Sequence, residues 1–345
     1  MGSSKVGFEA SLAKDVVEAS RCVGCGACVA VCPYECLTLV QGRPSLVKEC
    51  KSCGLCSQAC PRCDFSQGKL EKLVFGRNRK PEEPFGIYRR LVIAQATDEK
   101  TRQVSQDGGV ATALLAYALK KGQVNSAVVA GASKEKPFYP EPKLASNLPE
   151  ILECGGTKYT CSPNTIILAD ACKEKAEVAF VGTPCQIQAV RKMQAAGLTR
   201  QTGGLNFLIG LMCSGCFTYE GLMEGYIRGE KGVDLSEVKK MNIKGKLLVT
   251  TASGVIGIPL AEIKRFHQES CSGCGDFSSE LSDISVGGLG LDGWTLTVVR
   301  TEKGEELLSG AEQEGLLRTK PLDPEAKAQK LLVKLSEKKR KNTTN

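Results

Sequence analysis

The sequence predicts a chain of mixed α+β and α/β class: a small cysteine-dense head, then a larger α/β body on a mixed sheet. Three observations carry this expectation. CVGCGACVAVCP at Cys22 to Pro33 and CKSCGLCSQACP at Cys50 to Pro61 repeat one cysteine spacing. From Leu91 onward, short apolar strands alternate with helical patterns. Beyond Lys246 the texture shifts to strand pairs around tight turns.

Each run in the head reads C-x2-C-x2-C-x3-C-P, the ligand run of a bacterial-type 2[4Fe-4S] ferredoxin, whose fourth Cys serves the other cluster. One cluster would take Cys22, Cys25, Cys28 and Cys60, and the other Cys50, Cys53, Cys56 and Cys32. A C-x2-C pair also suits zinc, but two complete copies of the longer run argue for iron and sulfur. Cys36 and Cys63, just beyond the runs, read as small buried thiols. The 18 cysteines are grouped like ligands, and MGSSKVGFEASLAKD has no apolar stretch of a secretory signal. A reducing, cytoplasmic setting is expected, in place of a disulfide framework.

The head spans residues 1–66, and the polar, Pro-containing stretch after it reads as a linker over 67–90. The body follows over 91–322. LVIAQA (91–96) reads as a strand, GGVATALLAYALKKG (108–122) as a helix and AVVAG (127–131) as a buried strand. TIILADACKEK (165–175) reads as a helix, EVAFVGT (177–183) as a strand and QIQAVRKMQAAG (186–197) as a helix. NFLIGLM (206–212) is a strand and YEGLMEGYIRG (219–229) a helix. KLLVTTASGVIGIPL (246–260) and WTLTVVRTEKGEELL (294–308) each read as a hairpin, with a last helix near 323–339. Residues 323–345 form a basic helix and tail.

The 345 residues, 42% hydrophobic, suffice for two or three domains with a large core. No run of eighteen apolar residues suggests a membrane span. Part of the formal net charge of +8 sits in AKAQKLLVKLSEKKRKNTTN, which reads as a solvated amphipathic end. No nucleic-acid motif accompanies that charge.

CSGC recurs at Cys213 to Cys216 and Cys271 to Cys274, enough for a third tetrahedral metal site or cluster. Cys185 competes for a place there, because it opens a helix whose free amides favour a thiolate. Spacing leaves open which four of the five bind. Ferredoxin clusters pass single electrons while soluble reductants pass hydrides, so a flavin is expected between them. Ser105, Gly108, Gly109 and Thr112 sit at a helix start where free N–H groups can hold phosphate. GGTKYTCSPN (155–164) adds a Gly-rich loop with Lys158 and Tyr159. GLGLDG (288–293) matches G-x-G-x-x-G, but a strand follows it, so it reads as a loop near a site. The one histidine, His267, cannot build a histidine metal site.

These stretches resemble the coenzyme F420 hydrogenase/dehydrogenase family of beta subunits. SQDGGVATALL, GGTKYTCSP, FVGTPCQIQAV, LIGLMC and CSGCGDFSSELSDISVGGLG follow in the family's order, over roughly residues 86 to 318. The ferredoxin head resembles that of the electron-input component of archaeal F420H2 dehydrogenase. The resemblance implies an α/β flavin-binding domain, FAD, three [4Fe-4S] clusters and coenzyme F420 as substrate. It implies a hydride exchanged between the coenzyme and FAD, with partner subunits of a redox complex taking or giving the electrons. A ferredoxin-dependent reductase of another substrate, like 7-hydroxymethyl chlorophyll reductase, is the alternative on the same fold; a flavin-free electron carrier is a third. The resemblance also implies Cys185, Cys213, Cys271 and Cys274 as third-cluster ligands, leaving Cys216 spare. Ser105, Gly108, Gly109, Thr112, Lys158, Tyr159, Asn164 and Thr183 fall where the family's flavin loops lie. Cys154 and Cys161 match no motif position, and the residues meeting the coenzyme are not legible.

Overall fold

The computed structural model describes residues 6–173, 176–322 and 327–341. The head opens with the helix Glu9–Glu18, continues through two short helical turns, Ala27–Ala30 and Leu55–Ala59, and contains a hairpin of β1 (Leu37–Val40) and β2 (Arg43–Leu46).

The body is built on an eight-stranded mixed sheet from β3 (Arg90–Ala96), β4 (Ser126–Ala132), β5 (Pro140–Ala145), β6 (Val178–Gly182), β7 (Leu205–Leu211), β11 (Ile284–Gly287), β12 (Thr295–Val299) and β13 (Leu317–Pro321). The order is β13-β3-β12-β11-β7-β6-β4-β5. Pairs β4–β6, β6–β7 and β7–β11 are parallel, while β12 lies antiparallel between β11 and β3. Strands β3, β4, β6, β7 and β11 therefore end on one edge, where α/β sheets bind their ligands. A smaller antiparallel sheet, β8 (Lys240–Ile243), β9 (Lys246–Thr251) and β10 (Gly254–Pro259), packs with the helix Glu220–Glu230 through Leu222, Met223, Leu247 and Val249.

Alternation along β6 divides two cores. Ala179 and Val181 face the helices Val110–Lys120 and Glu302–Gln313, while Val178 and Phe180 face the helix Pro184–Ala195. The second core includes Val23, Ala27 and Val31 from the head together with Ile187, Val190 and Leu208. The head is thus packed into the sheet's own core.

Four sequence expectations change. The stretch read as a linker carries the helix Gln67–Phe75, whose Glu71 is buried and ion-paired to Arg79. The helix expected over 165–175 is one tight turn, Asn164–Ile167, and a short helix, Leu168–Ala171, with residues 174 and 175 outside the described residues. Its start is tied down by Thr165 Oγ1, which donates to Cys25 O at 2.6 Å. The second hairpin is a strand followed by a helix, Glu302–Gln313, because Thr301 caps it through the Gly304 amide. Leu307, Leu308 and Ala311 are buried at helical spacing, and Gly304 lets the helix approach Asp283, where a Cβ would lie 2.2 Å from its carbonyl oxygen. The basic end is not a solvated helix either. Lys327–Lys341 buries Ala328, Leu332, Ser336 and Lys339 along one stripe, and Leu332 packs with Phe85, Phe277 and Leu296. Residues 323–326 and 342–345 lie outside the described residues.

Candidate redox site

The two cysteine runs fold around two cavities. One is lined by Cys22, Cys25, Cys28 and Cys60, with Leu12, Val16 and Pro61 as its wall. The other is lined by Cys32, Cys50, Cys53 and Cys56, with Phe8, Tyr34 and Leu37. The fourth cysteine of each run faces the other run's triad. Backbone amides supply donors to sulfur: Phe8 N and Ser52 N to Cys50 at 3.4 Å, and Arg62 N to Cys60 at 3.4 Å. Such bonds favour thiolates. Cys36 also borders the second cavity, its thiol donating to Glu49 O at 3.1 Å.

The third thiol set gathers at the carboxyl ends of β6 and β7. After β6, Thr183 and Gln186 form a capping box, placing Cys185 in the first turn of the helix Pro184–Ala195. After β7, Cys213 N bonds Phe277 O at 2.9 Å, bringing Cys213 beside the 271–277 loop. Cys185 has Cys274 and Cys213 as electrostatic neighbours, and Cys271 has Cys213 and Cys274. The four cysteines Cys185, Cys213, Cys271 and Cys274 therefore converge, and Cys216 and Cys161 stand among them.

Burial and the neighbouring Cys274 push Cys185 up to about 12, outweighing the helix amides expected to lower it. A hydrogen bond with Cys216 brings Cys213 down to about 6. Three buried donors around this set, Arg62 Nε, Ser270 Oγ and Thr160 Oγ1, have no hydrogen-bond partner among the described residues. Among the described residues no three His, Cys, Asp or Glu side chains meet closely enough to hold a single metal ion.

The three thiol sets are contiguous. Cys25 has Cys185 as a charge neighbour, Cys161 neighbours Cys22 in the same sense, and Cys28 neighbours Cys56. The Cys161 thiol also donates to Val23 O at 3.3 Å, bridging body and head.

The glycine-rich loops meet on the same edge of the sheet, farther along. Gly109, at φ +76°, opens the helix Val110–Lys120, whose first turn has no side-chain cap. Gly108 N donates to Thr295 Oγ1 at 2.9 Å, and a Cβ there would stand 2.6 Å from Ala94 O. Ser105 is buried, with its Oγ on Thr101 O and its carbonyl accepting from Lys240 Nζ at 2.6 Å. Tyr159 Oη accepts from Ile243 N at 3.0 Å and Gln106 Nε2 at 3.1 Å. Burial raises that phenol. Lys158 Nζ donates to the carbonyls of Cys154, Gly155 and Gly156, and burial lowers it to about 8. Asp107, raised by burial and faced by Lys244 and Lys240, lies against Gly288 of the GLGLDG loop. That loop joins β11 to β12 as a hairpin, in agreement with the sequence reading.

The expected residues separate into two groups. Ser105, Gly108, Gly109, Thr112, Lys158 and Tyr159 cluster around the loop at the helix start. Asn164 and Thr183 serve the fold: Asn164 Nδ2 donates to Val181 O at 3.0 Å, and Thr183 caps its helix while its Oγ1 lies 3.2 Å from Cys185 Sγ. Sequence reasoning missed Lys240 and Lys244, and also Arg62, Lys339 and Asp276 beside the thiols. Asp276 could have been singled out from CSGCGDF; buried, it accepts from Glu280 N and is pushed up to about 6.

Known protein families match both halves of the body and part of the head. Residues 91–169 match the N-terminal model of the coenzyme F420 hydrogenase/dehydrogenase beta subunit, residues 175–325 its C-terminal model, and residues 15–38 a 4Fe-4S binding domain. The chain is 37% identical to the coenzyme F420 hydrogenase subunit beta of Methanothermobacter thermautotrophicus, over 74% of this chain and 92% of that one. It is 29% identical to one of the subunits of the F(420)H(2) dehydrogenase of Methanosarcina mazei, over 85% and 82% respectively. A chain of the solved F420-reducing [NiFe] hydrogenase complex of Methanosarcina barkeri superposes with a TM-score of 0.72 at 36% identity, covering 77% of this chain and 92% of that chain. With both halves of the body matched and the cysteine-rich head in front of them, the chain belongs to the coenzyme F420 hydrogenase/dehydrogenase family of beta subunits.

Proposed function

We propose that this chain is an F420-linked oxidoreductase subunit that exchanges a hydride with coenzyme F420 at a bound FAD. Single electrons then run through three [4Fe-4S] clusters to or from a partner subunit of a redox complex. The contiguity of the thiol sets carries the proposal, because it supplies a path from the body's loop edge to the far side of the head. The order is the Cys185 set, then Cys22, Cys25, Cys28 and Cys60, then Cys32, Cys50, Cys53 and Cys56. Names of relatives support the coenzyme, since hydrogenase and dehydrogenase subunits with F420 in their names share most of this chain.

FAD, when bound, would convert between a two-electron hydride and single electrons. The uncapped amides after Gly109 would hold its phosphate, and the Gly155 to Tyr159 loop would border it. Lys240 reaches that edge through the Ser105 carbonyl, beside Asp107, and Lys244 is ion-paired there to Asp292. The alternative reductase would use the same residues on another substrate. Among the described residues, no helix is long and apolar enough to cross a membrane.

Anaerobic purification should give about twelve irons, from three four-iron clusters, and one flavin per chain. Reduced coenzyme F420 should then bleach the flavin absorbance. A flavin-free protein after reconstitution would leave only the electron carrier. A flavin that ignores the reduced coenzyme would favour the other reductase. Cys216→Ser should keep all the iron if Cys185, Cys213, Cys271 and Cys274 are the third set of ligands.

A further inference from the structure

Two cations reach the third thiol set, Lys339 buried and Arg62 half-buried. Arg62 follows the last cysteine of the head's second run. Its guanidinium crosses to the body, where Nη1 donates to Gly273 O at 3.3 Å and Nη2 to Ser270 O at 3.5 Å. Its electrostatic neighbours are Cys274, Cys185 and Cys271. Lys339 comes from the helix Lys327–Lys341 and is 7% exposed. Its ammonium has Cys274, Cys213 and Cys271 as electrostatic neighbours. Both cations therefore have Cys271 and Cys274 as neighbours. Asp276 also lies within the field of Lys339, and its hydrogen bonds come from Glu280 N and Gln188 Nε2.

Burying one positive side chain and half-burying another with thiols as their main neighbours is costly unless those thiols carry negative charge. Thiolates holding a cluster supply that charge, and the cluster gains a further negative charge each time it accepts an electron. The head's other thiol sets have cations beside them too, with partners of their own. Lys192 is half-buried near Cys60 and is held by the Cys63 carbonyl, and Lys51 beside the second cavity is ion-paired to Glu49.

We propose that Arg62 and Lys339 form a cation clamp that stabilises the reduced form of the third cluster, making it the electron sink next to the flavin. With flavin and cluster bound, the transfer would be of one electron from the reduced flavin, which is oxidised by one electron, to the cluster, and no bond would form or break at the clamp. The two residues act through the cluster as positioning charges. This rests on the function proposed above, since the clamp needs a cluster at the Cys185 set.

The test is an anaerobic redox titration of the intact holoprotein, followed by electron paramagnetic resonance, with iron and flavin counted in every sample. Lys339→Gln keeps a hydrogen-bonding group and removes the charge. It should disfavour reduction of the third cluster at least tenfold, a downward shift of about 59 mV for one electron, with the two head clusters nearly unmoved. Lys339→Arg should restore the wild-type midpoint. Arg62→Gln should shift in the same direction. An unchanged midpoint with full iron in both glutamine variants overturns the clamp, as does an equal shift with Lys339→Arg, which would mark a packing effect. If a glutamine variant loses iron, Lys339→Arg decides: a wild-type midpoint with full iron supports a charge requirement, and the same loss overturns it. A wild-type protein with only two clusters instead overturns the function on which the clamp rests.

Discussion

Lys158 shows how one side chain can serve both fold and site. Its ammonium ties together three carbonyls of the Gly-rich loop, at 2.7, 3.0 and 3.3 Å, yet burial lowers it from 10.5 to about 8. Between pH 8 and 10.5 the unfolded chain therefore holds more protons than the folded one at this group, and stability rises with pH. Below pH 8 both states are protonated and the contribution is flat. Lys158→Met should remove the rise, so unfolding curves of variant and wild type should diverge progressively across that window. Parallel pH profiles would show that the loop does not hold a buried cation. The sequence makes this residue visible as a charge in a glycine loop, but its three carbonyl partners depend on how the loop closes. Lys339 is invisible for the opposite reason. In a lysine-rich segment, charge hides the one lysine that turns inward.

Elements are legible where local spacing and tertiary packing agree. The strands of the parallel core and the helix after Gly109 lie where apolar periodicity puts them, within a residue or two. At 302–313 the local pattern suggests strand where the chain forms helix, because the Lys-Gly pair mimics a hairpin turn while Thr301 supplies a helix cap. The seating of the last helix escapes the sequence because its buried stripe is narrow. Leu332 is fully buried, so Leu332→Ala should cost about 2–5 kcal/mol, measured by anaerobic chemical denaturation. A cost below about 0.5 kcal/mol, the scale of an exposed substitution, would mean that the helix is solvated after all. The same substitution should loosen Lys339, linking a packing defect to the third thiol set.

At the scale of the whole molecule, the two cysteine runs suggest an attached module, and the crossed thiol sets do form one unit. What spacing could not convey is how the unit is seated, because long-range contacts leave no local periodicity. Thr165 holds the Cys25 carbonyl, Gln201 Nε2 holds Ala30 O at 2.9 Å, and Lys192 holds the Cys63 carbonyl. Gly26, at φ +88°, lets the first ligand loop touch Ile166, where a Cβ would approach to 2.4 Å. Head and body should therefore melt together. Loss of cluster absorbance and loss of far-ultraviolet circular dichroism should share one midpoint on anaerobic heating. Two separated transitions would return the head to the status of a tethered domain.

That seating bears on kinetics. Redox modules on flexible tethers deliver electrons by swinging between donor and acceptor, and their rates fall as the solvent thickens. Here the head's Val23 and Ala27 share a core with Ile187 and Val190, so donor and acceptor are set at fixed separation when the chain folds. Electrons crossing from body to head would move through a rigid medium with no moving part to wait for.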